Sequence, residues 1–544
     1  MAAPEQPKMF DRRFITAILL IGFAWMGWQS YLTKKYPQAY SKKTPSQVET
    51  QTAAARPTDA NTADKSKAGT GSQATLTENT DSKHDATPVE KFVSFEDDSI
   101  SLSMSSTGMA FKNIRLKQYT DRKDEKIVFA NEEGFSLFET KLLGSNQPLD
   151  FNIEKISDRQ FVGVAEIKAL GLKVTKNVNI DSSKYTIETT VHVEGQNPAF
   201  SGLSTESVDK VEAQAGGFFK SRFEHQEFFI NHEGSTTRIV ADPSKPTSES
   251  FSKTLVAAFG SQYFGGAIID NSDVMPEFKA TITNGSKAIS ILEYKKLNNS
   301  NTFDLKYTGF VGPKSFDLLK TISPEMTDLI NFGFFTSIAK GIFWLMKLIH
   351  SVFSNWGISI IFLTLLVRLV VLPVNIMSYK QMRTMAKIQP QIKSLRERYK
   401  DDTQRLNQEM LTLMKENKAN PLGGCLPMLL QIPIFFALYQ VIGQSIELYK
   451  APFALWIQDL SSKDPFFVLP ILMGVTMFIQ QKITPNNMDP AQQKVMMFMP
   501  IIFCFLMFSL PSGLTLYIFI SSVFGILQQV YFTKEKNVAL TVKS

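Results

Sequence analysis

The run Gly357–Ser378, GISIIFLTLLVRLVVLPVNIMS, is an apolar helix with a single formal charge, Arg368, at its middle. About ten residues flank that arginine on either side, and at ~1.5 Å rise per residue each half reaches across half of a ~30 Å hydrocarbon core. The charge therefore sits near the midplane, at a cost of about 2.5–3.5 kcal/mol on insertion scales unless water or a partner reaches it. At ~100° per residue Thr364, Arg368 and Asn375 fall in one narrow sector of the helix. An otherwise Leu/Ile/Val cylinder thus carries a polar stripe, which is expected to face a water-filled cavity inside the membrane.

The remainder of the chain divides into two unlike halves. A 44% hydrophobic share with 43 Phe and 21 Met in 544 residues fits a mixed soluble and membrane protein. The net charge of +7 is not gathered into an aromatic-interleaved patch of the kind that binds nucleic acid; the basic residues lie beside apolar segments and read as topology signals and a ribosome-facing surface. No specific nucleic-acid partner is expected. Cys425 and Cys504 both lie in apolar runs, and none of His84, His192, His225, His232 and His350 falls inside a spanning segment of the C-terminal half. Neither a disulfide framework nor a metal or other cofactor is expected.

Residues 1–35 combine Lys8, Arg12 and Arg13 with the apolar run Phe14–Trp28. The run is long and no small-x-small cleavage site follows, which favours an uncleaved signal anchor over a signal peptide, with the N-terminus in the cytoplasm. Residues 36–90 are rich in Thr, Ala, Ser, Lys and Asp and nearly free of aromatic or branched apolar residues, the composition of a flexible tether. Residues 91–320 hold short alternating strands such as KVTKNVNI at Lys173 and KYTIETTVHVEG at Lys184, with an Asn284-Gly285 hairpin signal, and read as an all-β sandwich. Within it His225 and His232 lie near Glu224, Glu227 and Glu233; surface polarity on a β-scaffold is a better reading than a metal or acid/base site.

In residues 321–356 the stretch Thr336–Phe353 places Ile338, Ile342, Leu345, Met346, Ile349 and Phe353 at helical spacing, with Lys340 and Lys347 off that face. This suits a helix in the outer interface, Trp344 and Trp356 at headgroup depth, against a packing helix of the soluble domain as the alternative. The second span, 357–378, leads into 379–421, where ten Lys/Arg face five Asp/Glu between Lys380 and Lys418, so the loop is placed in the cytoplasm. Met382, Met385, Ile388, Ile392 and Leu395, then Leu406, Met410 and Leu413, predict two amphipathic helices folded as a hairpin. Pattern alone does not separate a structural hairpin from a partner-docking one.

The third span is 422–442, kinked by Pro427 and Pro433 and carrying Gln431; 443–465 is an outer loop. The fourth span is 466–483, followed by the cytoplasmic loop 484–494, and the fifth and sixth spans are 495–509 and 514–532, with 533–544 a cytoplasmic tail. The fourth and fifth spans hold only about fifteen apolar residues, below the usual ~20, so either their flanks extend them or the bilayer is locally thin.

Across spans two to six Arg368 is the one formal charge deep in an apolar run. The other deep polar groups are neutral: Thr364 and Asn375 beside the arginine, Gln431, Thr476, and Tyr517, Ser521 and Gln528 on one face of the sixth span. No nucleophile–base pair or acidic relay is present, so the chain reads as neither an enzyme nor a proton-coupled carrier. Met473, Met477, Met496, Met497, Met499 and Met507 cluster on the fourth and fifth spans and would suit varied apolar partners, or simple helix packing. Together these features suggest a site that receives a hydrophobic segment along with its polar flank. A transporter or channel using Arg368 as an anion site, and a purely structural assembly chaperone, are the competing classes; inverted repeats, which would favour the transporter, are lacking.

The segments TLLVRLVVLP, KIQPQIKSLRERYKDDTQRLNQEMLTLMKENKANPLGGCLPMLLQIPIFFALY, APFALWIQDLSSKDPFFVLPILMGVTMFIQQKITP and PSGLTLYIFISS closely resemble the YidC/Oxa/Alb family of membrane protein insertases, over most of Ile358–Gln529. The anchor and outer β-domain resemble its Gram-negative form. The resemblance implies a multi-domain inner-membrane protein: a periplasmic β-sandwich, six spans of which five form the core, and a cytoplasmic helical hairpin that receives ribosomes and clients. It implies a hydrophilic groove open to cytoplasm and lipid and closed on the outer side, with Arg368 as the groove arginine, Thr364 and Tyr517 on client-contacting motifs and Gln431 on a matching polar position. Asn375 and Ser521 join this candidate site from their place on the polar faces. Ile518 stands where relatives often carry a second aromatic, so any role of that neighbour does not transfer. The implied partners are nascent membrane proteins, the ribosome, the lipid bilayer and the Sec translocon (SecYEG, SecDF), and both termini are placed in the cytoplasm. The outer domain resembles sugar-binding β-sandwiches without their activity.

Overall fold

The computed structural model describes residues 90–212, 224–296, 300–400, 402–419, 426–484 and 490–541. The signal anchor expected in 1–35 and the tether expected up to residue 89 lie outside the described residues.

Strand alternation dictates the first half. In Leu172–Asp181 every second side chain is buried, as a strand with one face on a core requires. Eighteen strands between Phe92 and Pro313 form two nine-stranded antiparallel sheets. One is bounded by Phe92–Glu96 and Thr247–Phe251, the other by Ser235–Val240 and Asn152–Lys155. The Asn284-Gly285 signal marks a real hairpin between Glu277–Ile282 and Lys287–Lys295. Its loop is one residue longer than a two-residue turn: Thr283 N–H donates to Lys287 O at 3.0 Å, and the left-handed residue is Ser286 (φ 56°).

The two sheets meet around a buried cation. Lys176 occupies an inward register position between Val174 and Val178, with none of its surface exposed. Its ammonium donates to the carbonyls of Phe138 (2.9 Å), Met109 (3.0 Å) and Gly108 (3.3 Å) and to Thr140 Oγ1 (3.0 Å), all from the opposite sheet or its loops. Gly108, Met109 and Phe138 all have positive φ, and this left-handed backbone accompanies the inward turn of their carbonyls. The two histidines of the β-domain's acidic cluster are held separately: His225 approaches Glu227 at 3.6 Å, while His232 Nε2 meets Thr237 Oγ1 at 3.0 Å. Glu227 is instead paired with Arg238.

The second half is helical. A short helix α1 (Phe316–Ile322) and a 3-10 turn (Pro324–Leu329) lead into α2 (Thr336–Phe353), the expected amphipathic segment. Its packed face is Ala339, Ile342, Phe343 and Met346, rotated from the expected one because Phe343 joins Phe316 and Phe332 in an aromatic cluster. Ile338 and Phe353 are left exposed, together with Trp344, Leu348 and Val352. Lys340 and Lys347 reach back to Asp328 and Asp317.

Next comes α3 (Trp356–Arg398), one helix of 43 residues. Asn355 caps it, its Oδ1 accepting from Ile358 N–H at 3.0 Å. It runs without a break through Ser378, where the sequence reading ended a span, because most of Lys380–Arg398 is good helix formers and both Pro373 and Pro390 are absorbed inside the helix. The second arm of the hairpin, α4 (Thr403–Glu416), packs Met410, Leu413 and Met414 against Ile388 and Ile392 of α3. Four further helices follow: α5 (Leu426–Gln444), α6 (Val468–Ile483), α7 (Pro490–Met507) and α8 (Ser512–Thr541). Among the described residues α3 and α8 are long and apolar enough to cross a membrane, and the apolar stretches of α5, α6 and α7 are shorter. Met473 and Met507 are buried in the helix packing and offer no surface to a partner, whereas Met497 is exposed.

The β-domain is fixed to the outer loop of the helical half. Tyr449 OH donates to Thr120 O at 3.2 Å, Lys450 Nζ to Thr120 Oγ1 at 2.8 Å, and the Tyr263 and Tyr449 rings lie 4.6 Å apart. Ser315 Oγ donates to Glu447 at 3.1 Å, and burial pushes that carboxyl upward.

Burial pushes Lys176 down to about 7 from an ordinary 10.5. The unfolded chain therefore binds more protons between those values, and this group makes stability rise as pH increases from about 7 toward 10 and leaves it flat below 7. Lys176→Met should remove that slope. Chemical denaturation of the purified protein at pH 6, 8 and 9.5 checks it, and equal slopes in both proteins would refute the assignment.

Candidate functional site

The site lies on the seam between α3 and α8. A helix that must bury Gly357, Ile360, Leu363, Thr364, Val371, Asn375 and Ser378 presents one face to its neighbour, and that face carries the polar stripe seen in the sequence. The stripe packs against the polar face of α8. The Arg368 guanidinium donates to Ser521 Oγ from Nε at 2.8 Å and from Nη2 at 2.5 Å. Asn375 Nδ2 donates to Gln528 Oε1 at 3.4 Å, and Arg383 to the Phe532 carbonyl. Partners advance together along both chains, so α3 and α8 run parallel.

Five of the six candidate residues are thus engaged in three side-chain pairs. Arg368 and Ser521 pair directly, with no carboxylate on the arginine among the described residues. Gln431 of α5 donates its amide to Tyr517 OH of α8. Asn375 reaches Gln528, which the sequence placed on the same α8 face. Thr364 is the exception: fully buried, it returns its hydroxyl to Ile360 O of its own helix at 2.6 Å. The stripe therefore faces a neighbouring helix along much of its length, and a hydroxyl on α8 serves the arginine that the sequence left without a partner.

At the end of the seam nearest the 443–465 loop, Ala437, Leu438, Val441 and Ile442 of α5 are buried in one cluster with Ile360, Leu460 and Leu514. The outer loop folds over the start of α8: Gly513 N–H donates to Leu460 O at 3.0 Å, and a side chain at Gly513 would meet Ile360 and Leu460 at 3.1 Å. Asp464 braces the loop, accepting from Trp456 Nε1 at 3.0 Å and from Leu469 N–H at 2.7 Å at the start of α6. Elsewhere on α5, Leu429, Leu430, Ile432 and Phe436 are exposed, while Asn375 and Ser378 of α3 and Gln528 and Gln529 of α8 stay buried. Exposed Leu366, Leu369 and Val370 of α3, Ile471, Val475 and Ile479 of α6, and Ile501, Ile502 and Phe505 of α7 complete an apolar exterior of the kind a lipid surround accepts.

The sequence sets Gln480 with Thr476 on one face of the fourth span, and the structure places Gln480 in a polar cluster between α6 and α8. Gln480 lies against Gly525, where a Cβ would come within 2.8 Å of its amide, and Thr484 Oγ1 donates to Gln529 at 3.2 Å. The signal was the pair of Gln-Gln dipeptides ending the fourth and sixth apolar runs.

A β-sandwich joined to a bundle with a lipid-compatible exterior and a buried polar seam defines a membrane protein with a large domain outside the bilayer. Residues 92–345 match the YidC periplasmic domain and residues 348–539 match the 60Kd inner membrane protein family. A membrane protein insertase YidC of Geobacter sulfurreducens is 36% identical over 462 residues, covering 81% of this chain and 85% of that protein. That of Francisella philomiragia is 34% identical over 500 residues, covering 84% and 88%. A crystal structure of an active YidC insertase with its first transmembrane domain resolved is 20% identical, covers 82% of this chain and 93% of that one, and has a TM-score of 0.37. The chain belongs to the YidC family of inner-membrane proteins.

Losing the Ser521 hydroxyl leaves a half-buried guanidinium short of an acceptor, so Ser521→Ala is expected to destabilise the protein by about 1–2 kcal/mol. Because the two side chains act as a pair, Arg368→Leu and Ser521→Ala combined should cost less than the sum of the two singly. Thermal unfolding of the four proteins in detergent reads this directly, and strict additivity would refute the pairing.

Proposed function

We propose that this protein inserts and folds nascent integral membrane proteins through the polar seam of α3, α5 and α8, with Arg368, Thr364, Asn375, Gln431, Tyr517 and Ser521 as its client-facing groups. One observation carries the reading: a half-buried, positively charged side chain stands midway along a polar seam, held by a hydroxyl and with no carboxylate on it among the described residues. Moving the polar flank of a nascent helix across lipid is costly because each peptide and charged group loses water. A polar seam reaching mid-membrane from the inner side shortens the dry path. Arg368 attracts acidic residues of the flank, and the client helix then partitions into lipid past the exposed apolar faces of α5 and α7.

The same proposal sets the topology. Six spans, the first within residues 1–35, place both termini and the α3–α4 hairpin in the cytoplasm and the β-domain in the periplasm. The parallel run of α3 and α8 supports it, since three crossings between two spans return the chain in the same direction. With Trp344, Leu348 and Val352 exposed, α2 lies in the outer interface. The hairpin receives ribosomes and clients, and the protein works alone or with the Sec translocon. The packed outer end counts against a transporter or channel with Arg368 as an anion site, which needs a path to both sides.

Reconstituted into liposomes, the protein should raise insertion of a single-span client above that into empty liposomes; equal insertion in both would sink the proposal. Arg368→Ala should lower insertion of a client with an acidic flank roughly threefold to tenfold more than that of a neutral one, the equivalent of about 1 kcal/mol. Equal losses on the two clients would restrict the charge to a role in folding or hydration.

A further inference from the structure

Along the α3–α8 seam the polar side chains largely use their hydrogen bonds on one another, and Gln528 does so only in part. Its Oε1 accepts from Asn375, but its Nε2 is buried and meets no acceptor among the described residues. The side chain is 7% exposed, so bulk water does not serve it. Buried polar atoms are nearly always paired, and one left over asks what completes it. On the neighbouring α6, Gln481 leaves its Oε1 in the same condition. The inner rim of the seam therefore holds an unused amide donor and an unused amide acceptor on adjacent helices.

Placement narrows the occupant. Gln528 follows Ser521 by seven residues on α8, hence lies on the same face and about 10 Å further inward. A client flank drawn toward Arg368 from the inner side passes it first. The free group is a neutral N–H donor, suited to a carbonyl oxygen. Every residue of an extended flank except proline supplies one carbonyl and one N–H whatever its side chain, and both lose water on entering the seam.

We propose that Gln528 is a docking point for the client's main chain: its Nε2–H donates to a peptide carbonyl of the flank while its Oε1 stays on Asn375. This rests on the insertase reading and adds a contact that is independent of flank sequence, where Arg368 supplies one that depends on charge. Gln528 thus sets tolerance and Arg368 sets preference.

The test uses the full chain in liposomes and synthetic single-span clients in which one flank peptide bond at a time is replaced by an ester, whose carbonyl is a weaker acceptor. Wild-type protein should lose insertion by roughly threefold to tenfold at one or two flank positions. In Gln528→Met, close in volume, those positions should show no further loss. Gln528→Glu keeps the acceptor for Asn375 but has no N–H when ionised, and should match Gln528→Met in the ester scan. A flat scan in wild type, or the same profile in wild type and Gln528→Met, would overturn the proposal and leave Nε2 to an internal water. The preference for acidic over neutral flanks, measured with Arg368→Ala in the same liposomes, reads the parent function separately. Ester sensitivity can therefore fail while that preference stands, and insertion no better than into empty liposomes removes both.

Discussion

The bond between Arg368 and Ser521 is the constraint on which the helical half depends. A guanidinium in the middle of an apolar helix needs an acceptor, and among its neighbours the acceptor is a hydroxyl on α8. A carboxylate there would neutralise the arginine and bury an ion pair, which is costly to form and, once formed, holds both charges in place. A hydroxyl satisfies part of the fork and leaves the positive charge without a carboxylate. The register that brings Asn375 to Gln528 is the same 153-residue offset that seats Arg368 on Ser521.

A second buried cation is handled the opposite way. Lys176 is surrounded by four oxygens in the middle of the sandwich, three of them main-chain carbonyls from residues with left-handed backbone. Nothing can approach it, and its surroundings are shaped to hold it. The lysine amine ties two sheets together, whereas the arginine meets a single hydroxyl and no carboxylate among the described residues. The contrast separates an amine enclosed for architecture from a guanidinium whose fork is only partly filled.

Much of this was legible from residue pattern. The bounds of α2, the strand-rich region and the polar stripe of α3 all follow from periodicities of 3.6 and 2. Lys176 was visible as a lysine in the inward register of KVTKNVNI, yet the carbonyls that receive it come from Met109 and Phe138, whose positive φ is rare for such residues and has no sequence signature. For Arg368 the stripe was legible but its partner was not, since Ser521 lies 153 positions away and the pairing depends on how two helices are seated. The continuity of α3 beyond Ser378 was missed because the change from apolar to basic residues marks the edge of a membrane, and a helix need not end there.

That continuity has a mechanical consequence. Forty-three helical residues make a rod of roughly 65 Å, about twice the thickness of the hydrocarbon it crosses. The rod is pinned at its first turn by the Asn355 cap and by Phe453, which packs on Gly357, and its other end carries α4. A load on the hairpin thus acts through a long lever held at the Asn355 end. Pro373 and Pro390 cannot donate to the carbonyls four residues earlier, so the rod lacks a hydrogen bond a little more than one turn beyond Arg368 and again within the hairpin arm. The first of these gaps lies beside Asn375, so a bend of the rod there would be felt first at the contact between Asn375 and Gln528.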